Sequence, residues 1–117
     1  IFSGWEIGSE IFTGNAVRDL PGDISANPIK AAYTLALSED DRPHGRESWD
    51  QTAALVAIRG AAPWFTLRHG HMTVDGKGNN KWTDDPQGQH AYLVFAQPIK
   101  QVRDAIEALM TQMPRKR

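Results

Sequence analysis

Apolar residues along the chain follow two spacings, one typical of helices and the other of strands. Apolar positions three or four residues apart predict helices over residues 5–12, 27–37, 48–62 and 98–113. Short apolar runs predict strands over residues 1–4, 65–67, 72–74 and 90–95. Glycine, proline and charged residues predict loops over residues 13–26 and 38–47. The chain is therefore expected to combine helices with strands.

Local signals mark where some of these elements begin or turn. Asn27 before Pro28 predicts a helix start, because asparagine caps the helix and proline has no N–H to leave unpaired there. Ser48 and Gln51 have the spacing of a capping box, which predicts the start of the next helix. The polar run over residues 75–80 separates two apolar segments and predicts a β-hairpin.

Composition excludes several functional classes. The net charge is −1 and the pI is about 6.5, so we expect neither nucleic acid nor an anionic membrane as a partner. The chain has no cysteine and therefore no disulfide framework. None of its apolar runs approaches the length of about 20 residues that a membrane span needs.

Residues that usually build a core are scarce in this chain. Leu, Ile, Val and Phe together account for 24 of the 117 residues. The chain also opens with Ile-Phe-Ser-Gly, inside an apolar run and without methionine. We therefore expect residues 1–117 to be a single C-terminal fragment. Its core would be shared with a missing N-terminal segment of the same protein, or with a second copy in a homo-oligomer.

Two short segments carry a family resemblance. They are residues 2–8 (Phe-Ser-Gly-Trp-Glu-Ile-Gly) and residues 48–53 (Ser-Trp-Asp-Gln-Thr-Ala), called segment 2–8 and segment 48–53 below. Their order, followed by Val-Asp-Gly-Lys-Gly at 74–78 and Tyr-Leu-Val at 92–94, resembles the C-terminal part of the inosine/uridine-preferring nucleoside hydrolase family. The likeness is closest to a branch with a Trp-Glu-Ile-Gly motif.

The resemblance implies both a fold and a reaction. The fold would be α/β, with this chain forming the C-terminal part of a Rossmann-like parallel sheet with packed helices and an added hairpin. The reaction would be hydrolysis of the N-glycosidic bond of a ribonucleoside to ribose and base. In the family, Ca²⁺ is held by an acidic N-terminal motif, which this sequence does not contain, and by one late aspartate at a helix start. Without that motif, the fragment alone is expected to be inactive.

The resemblance also implies roles for individual residues. Asp50 matches the late aspartate and is therefore the candidate Ca²⁺ ligand, although an acid at this position also simply stabilises a helix N-terminus. Trp49 stands where better-known members often have a histidine that is proposed to protonate the leaving base. Indole cannot act as a general acid, but it can stack on a base. Packing into a core or loop is the alternative for Trp49.

Three further residues are candidates for the substrate pocket. His44 and Arg46 precede segment 48–53, in a region that borders the base pocket of the family. His44 is a candidate general acid and Arg46 a candidate substrate ligand, and both fit equally a solvated loop. Glu6 lies at a predicted strand-to-helix junction, where α/β proteins often bind ligands, or it only stabilises a helix start.

A second functional class is open to this sequence. The chain could be a non-catalytic relative that binds a carbohydrate or another ligand, with tryptophans as stacking platforms. Core packing is the alternative expectation for Trp5, Trp64 and Trp82. His69 and His71 would share one face of a strand, either as two metal ligands or as surface residues.

Overall fold

The computed structural model describes residues 1–41 and 43–112, which form a mixed arrangement of helices and antiparallel sheets. The α-helices are α1 (Trp5–Gly8), α2 (Asn15–Arg18), α3 (Pro28–Ala36), α4 (Trp49–Arg59) and α5 (Ile99–Met110), with a short 3₁₀ helix over Ile24–Ala26. The strands are β1 (Phe12–Thr13), β2 (Arg46–Glu47), β3 (Phe65–Val74), β4 (Asn80–Asp84) and β5 (His90–Phe95).

The sheets contradict the Rossmann-like parallel fold. β1 pairs with β2 in an antiparallel two-stranded sheet, and a second sheet has the antiparallel order β4-β3-β5. The reason lies in the connections, because strands joined by tight turns and short loops can pair only in opposite directions. Parallel pairing is seen at an isolated bridge between Phe2 and Tyr92. The part of the chain that the structure describes is therefore a small mixed α/β unit.

The predicted hairpin is confirmed. β3 and β4 pair from Gly70–Asp84 to Val74–Asn80. In the turn between them, the Asp75 carboxylate accepts hydrogen bonds from the backbone N–H groups of Lys77 and Asn79, at 2.8 and 3.0 Å. These bonds lower the pKa of Asp75, with the Asn79 side-chain amide as the largest cause. β3 is one continuous strand, where two short strands were predicted.

One predicted helix cap is confirmed and the other is wrong. The Asn27 side chain accepts hydrogen bonds from the backbone N–H groups of Ile29 and Lys30, so α3 begins as expected. Ser48 precedes α4 but makes no side-chain capping bond. Its hydroxyl instead donates to the Arg46 carbonyl at 2.9 Å and lies 2.7 Å from the Thr13 hydroxyl. The pull of these buried partners outweighs the local capping geometry.

Three further boundaries differ from the predictions. Residues 1–4 do not form a buried strand, because Ile1 is 70% exposed and Phe2 makes only an isolated bridge. The helix predicted over residues 5–12 ends at Gly8, and Phe12 begins β1. The predicted loops contain regular structure, since residues 13–26 include α2 and residues 38–47 include β2. Met113, the last position of the apolar stripe predicted for the C-terminal helix, lies outside the described residues.

The core lies between the helices and one face of the three-stranded sheet. Its buried cluster consists of Ile7, Ile11, Leu55, Val56, Phe65, Leu93, Val102 and Ile106. α4 contributes through Leu55 and Val56, and α5 contributes through Val102 and Ile106. Because α1 and α4 both reach this cluster, the core fixes the position of segment 2–8 against segment 48–53.

The buried hydroxyl pair Thr13–Ser48 should be a measurable part of the stability. Both residues are fully buried, so replacing Ser48 by alanine leaves the Thr13 hydroxyl without its partner. We expect the free energy of unfolding to fall by about 1–3 kcal/mol in urea denaturation. Ser9→Ala, on a half-buried serine, is the control and should change stability by no more than about 0.5 kcal/mol. Equal effects of the two substitutions would show that the hydroxyl pair contributes nothing specific.

Candidate functional site

The structure brings the two motif segments into direct contact. The Ser3 hydroxyl lies 2.8 Å from the Thr52 hydroxyl, and the Ser48 backbone N–H donates to the Gly8 carbonyl at 3.1 Å. The rings of Trp5 and Trp49 pack with centroids 5.2 Å apart and planes inclined by 38°. Segment 2–8 and segment 48–53 are 40 residues apart along the chain, yet they form one surface.

Gly8 is required for this contact. A Cβ atom at Gly8 would lie 2.2 Å from Cδ1 of Trp49, far inside van der Waals contact. The Trp49 ring therefore packs directly on the backbone of α1, and Trp49 is half-buried. Trp5 lies beside it but is 76% exposed, so the expectation of core packing is wrong for Trp5. Trp64 does pack against the core as a partly buried residue, as expected.

Asp50 lies in the first turn of α4, as the sequence predicted. Its side chain is exposed, and within the described residues its carboxylate has neither a hydrogen bond nor an ion pair. A carboxylate there interacts favourably with the helix macrodipole. Both oxygens are therefore open to a ligand.

Asp50 does not belong to a complete metal site in the described residues. In residues 1–41 and 43–112, no group of three or more His, Cys, Asp or Glu side chains could hold a metal ion. Calcium takes about six to eight oxygen ligands, and one aspartate supplies at most two of them. The described residues alone therefore do not fit a Ca²⁺ site. Any Ca²⁺ bound by Asp50 would need further ligands.

His44 and Arg46 are exposed and lie apart from the paired tryptophans in their contacts. The Arg46 guanidinium is 3.3 Å from the Asp41 carboxylate and 3.7 Å from the Glu47 carboxylate. The Ser38 hydroxyl, with a smaller contribution from Arg46, lowers the pKa of Asp41. Among the described side chains, neither His44 nor Arg46 has a hydrogen bond to Trp49 or Glu6. The structure thus does not join them to Asp50.

His44 lines a cavity of about 650 Å³ between the start of α2 and α5. The same cavity is lined by Asn15 and Glu107, and each has a buried side-chain oxygen without a hydrogen-bond partner in the described structure. The other Glu107 oxygen accepts from the Gly14 N–H at 2.8 Å. His44 therefore lies beside acceptors that can hold water. This arrangement gives no support to a general acid facing Trp49.

Glu6 is exposed in α1, and its carboxylate bends back over Gly4. A Cβ atom at Gly4 would lie 2.5 Å from Oε1 of Glu6. Glu6 also lines a groove of about 500 Å³ together with Trp82 and Tyr92. Of the candidate substrate ligands, Glu6 and Trp49 lie on the same motif surface. Arg46 does not contact it.

Sequence reasoning missed the aromatic wall of this groove. Trp82 and Tyr92 pack edge to face, with ring centroids 4.9 Å apart. Met72 pairs with Trp82, and Arg68 pairs with Tyr92, so both rings stand on one face of the sheet. The only sequence signal was the strand register, which the hairpin prediction left unassigned. Trp82 is half-buried, so it is neither a core residue nor fully exposed.

Polar contacts hold this wall in place. The Trp82 indole N–H donates to the Asp84 carboxylate at 2.8 Å, and the Arg68 guanidinium pairs with the same carboxylate. The guanidinium, followed by the indole, lowers the pKa of Asp84. Arg68 also lies over the Tyr92 ring, 6.0 Å from its centroid.

His69 and His71 do not form a metal site with each other. The His71 Nε2 atom lies 3.0 Å from the Asp85 carboxylate, and the His69 Nδ1 atom lies 3.2 Å from the Gly88 carbonyl. The Gln87 backbone N–H, followed by His71, lowers the pKa of Asp85. Both histidines are surface residues with their own partners on the sheet.

Comparisons with known proteins leave the family open. No family model, curated protein or solved structure matches this chain. In the described residues, helices long and apolar enough to cross a membrane are absent.

Proposed function

We propose that this chain is a C-terminal portion of a nucleoside hydrolase-like enzyme, which hydrolyses the N-glycosidic bond of ribonucleosides. Water adds to the anomeric carbon, the bond to the base nitrogen breaks, and the base takes up a proton. The proposal rests on the resemblance of segment 2–8 and segment 48–53 to that family. It does not require the parallel sheet that the structure contradicts.

The observation that carries the proposal is the contact between these two segments. Two sequence-distant segments that share one site should meet in space, and these are joined by the Ser3–Thr52 and Ser48–Gly8 contacts. The carboxylate of Asp50 and the rings of Trp49 and Trp5 come from these segments. A carboxylate beside an aromatic surface suits a ligand that has both hydroxyl groups and a flat base.

Asp50 is proposed as one oxygen ligand of Ca²⁺, with the remaining ligands supplied from outside the described residues. Its exposed carboxylate makes no competing bond in the described part of the chain. Trp49 is proposed to stack on the base, and Glu6 to accept hydrogen bonds from the substrate. The general acid is left unassigned, because an indole cannot donate the proton and the described contacts of His44 do not reach Trp49.

A ligand-binding role without catalysis is the second candidate. The observation that favours it is the Trp5 ring, which is 76% exposed although it packs on Trp49. Exposed indole rings are stacking surfaces for sugars and bases. The two candidates differ in whether bound nucleoside is turned over.

The 117-residue chain by itself should release no ribose from inosine or uridine, even in excess Ca²⁺, because it supplies a single expected metal ligand. The complete gene product that contains this chain should release ribose, and a calcium chelator should abolish the reaction. Assays of reducing sugar on both proteins test the two statements together.

Two results would contradict the proposal. Turnover by the 117-residue chain at the rate of the complete product would show that no further ligands are needed. Absence of ribose release by the complete product, with nucleoside binding retained, would favour the binding role instead.

A further inference from the structure

A groove with an aromatic wall lies between segment 2–8 and the outer face of the three-stranded sheet. Its volume is about 500 Å³, and its lining includes Phe2, Trp5, Glu6, Asn80, Trp82 and Tyr92. Aromatic rings thus come from three separate parts of the chain. A concave site with a few polar groups among aromatic side chains is the usual form of a small-molecule site.

The aromatic wall is preorganised. The Trp82 ring is held by its indole N–H bond to Asp84 and by edge-to-face packing on Tyr92 at 4.9 Å. Phe2 packs edge to face on Trp82 at 6.4 Å. Backbone bonds from Phe2 to Ala91 and Leu93, at 2.8 and 3.1 Å, fix Phe2 against β5. A ligand therefore pays little conformational entropy to order the wall of the groove.

The edge-to-face pair presents π-electron density to the groove. When two rings pack edge to face, the ring that contributes its edge keeps both of its faces uncovered by the other ring. Such faces carry partial negative charge and attract cations. The same wall already attracts one cation, since the Arg68 guanidinium lies 6.0 Å from the centroid of Tyr92. The charge of Arg68 is paired with Asp84, so it does not oppose a second cation strongly.

The polar groups of the groove select the charge of the ligand. Among the residues that line it, the charged side chain is the Glu6 carboxylate, which has no hydrogen bond or ion pair in the described structure. The Ser3 hydroxyl is used by Thr52, so Glu6 and Asn80 are the side chains left to bind polar atoms. An anion would be repelled by Glu6. A neutral sugar would find few partners for its hydroxyl groups.

We propose that this groove binds a small organic cation, of the quaternary or substituted ammonium class. The cationic head lies against Trp82 and Tyr92, with the Glu6 carboxylate on the opposite side and Trp5 at the entrance. Cation–π attraction and the carboxylate act together, because both favour positive charge and neither requires a donor from the ligand. This inference does not depend on nucleoside hydrolysis.

Choline and its neutral isostere 3,3-dimethylbutan-1-ol provide a direct test with the 117-residue chain, since the two have the same shape and differ in charge. Isothermal titration calorimetry should show saturable binding of choline at least about tenfold tighter than that of the isostere. Binding should weaken with rising salt concentration, because part of it comes from the exposed carboxylate of Glu6.

Two substitutions and matched controls locate the site. Glu6→Gln keeps the shape of an exposed side chain and should weaken choline binding about fivefold or more, while Trp82→Ala should abolish detectable binding. Glu10→Gln, on another exposed glutamate, and Trp64→Phe, outside the groove, should leave the affinity unchanged. Circular dichroism confirms that each variant is folded. Glu6→Gln is informative even if Trp82→Ala does not fold.

Three outcomes would overturn the inference. Equal affinity for choline and the neutral isostere would show a stacking surface without charge selection. Binding of uridine or methyl glucoside without binding of choline would show a neutral-ligand site. Choline affinity that is unchanged by Glu6→Gln would place the cation elsewhere.

Discussion

Replacing Asp50 by alanine is expected to lower nucleoside turnover by about 100-fold or more in the complete gene product. Loss of a residue that only supports a metal ligand costs up to about 100-fold, so loss of a ligand should reach at least this size. Stability should change by no more than about 0.3–1 kcal/mol, the usual interaction of an exposed acid with a helix N-terminus. The Asp50 carboxylate is exposed in the first turn of α4, so no buried contact is lost.

Two measurements separate a metal ligand from a structural acid. Calcium affinity by titration calorimetry should fall with turnover in Asp50→Ala, and Asp50→Asn should retain part of it by keeping one oxygen. Asp40→Ala, on an exposed acid of the loop before β2, is the matched control and should change neither quantity. If Asp50→Ala cost several kcal/mol of stability, or left calcium binding intact, Asp50 would be structural.

Features that depend on local sequence were predicted correctly. α3 begins at Pro28 with Asn27 as its cap, and the hairpin turns over residues 75–80, because both are decided within a few residues. The strand predicted over residues 90–95 matches β5 for the same reason. Asp50 was placed correctly in a first helical turn, since it follows from where α4 begins.

Features that depend on distant pairing were not predicted. β1 and β2 are two residues each and pair across more than 30 positions, so neither carries a sequence signal of its own. The Ser48 hydroxyl faces the same choice between near and far partners, and the buried Thr13 prevails over a local cap. The parallel sheet came from the family resemblance, and the antiparallel register of β3 with β5 contradicts it.

The candidate site divides along the same line. The sequence marked segment 2–8 and segment 48–53 separately, and their contact follows only from the fold. Trp82 and Tyr92 form one wall because β3 lies between their strands and aligns them on the same face. A hairpin prediction without its register cannot show this. Trp5 was expected in a core, yet its neighbour Trp49 takes the space over Gly8 and leaves Trp5 exposed.

Leu93→Ala should be among the most destabilising single substitutions in this chain. Leu93 is 1% exposed and packs in the cluster that joins β5 to the helices. Removing a buried leucine side chain costs about 2–5 kcal/mol, a large part of the roughly 5–15 kcal/mol that stabilise a typical domain. Urea denaturation should show an earlier midpoint with the slope unchanged.

Leu67→Ala is the matched control for this substitution. Leu67 lies directly opposite Leu93 in the β3–β5 ladder but is 37% exposed, so the two leucines share a face and differ in burial. Because it buries less apolar surface, Leu67→Ala should cost about 1 kcal/mol. Losses of equal size at the two positions would contradict a core at the Leu93 end of this face. The larger loss at Leu93 would instead show that the helices, rather than the sheet alone, stabilise β5, since both leucines have the same cross-strand neighbour relationship.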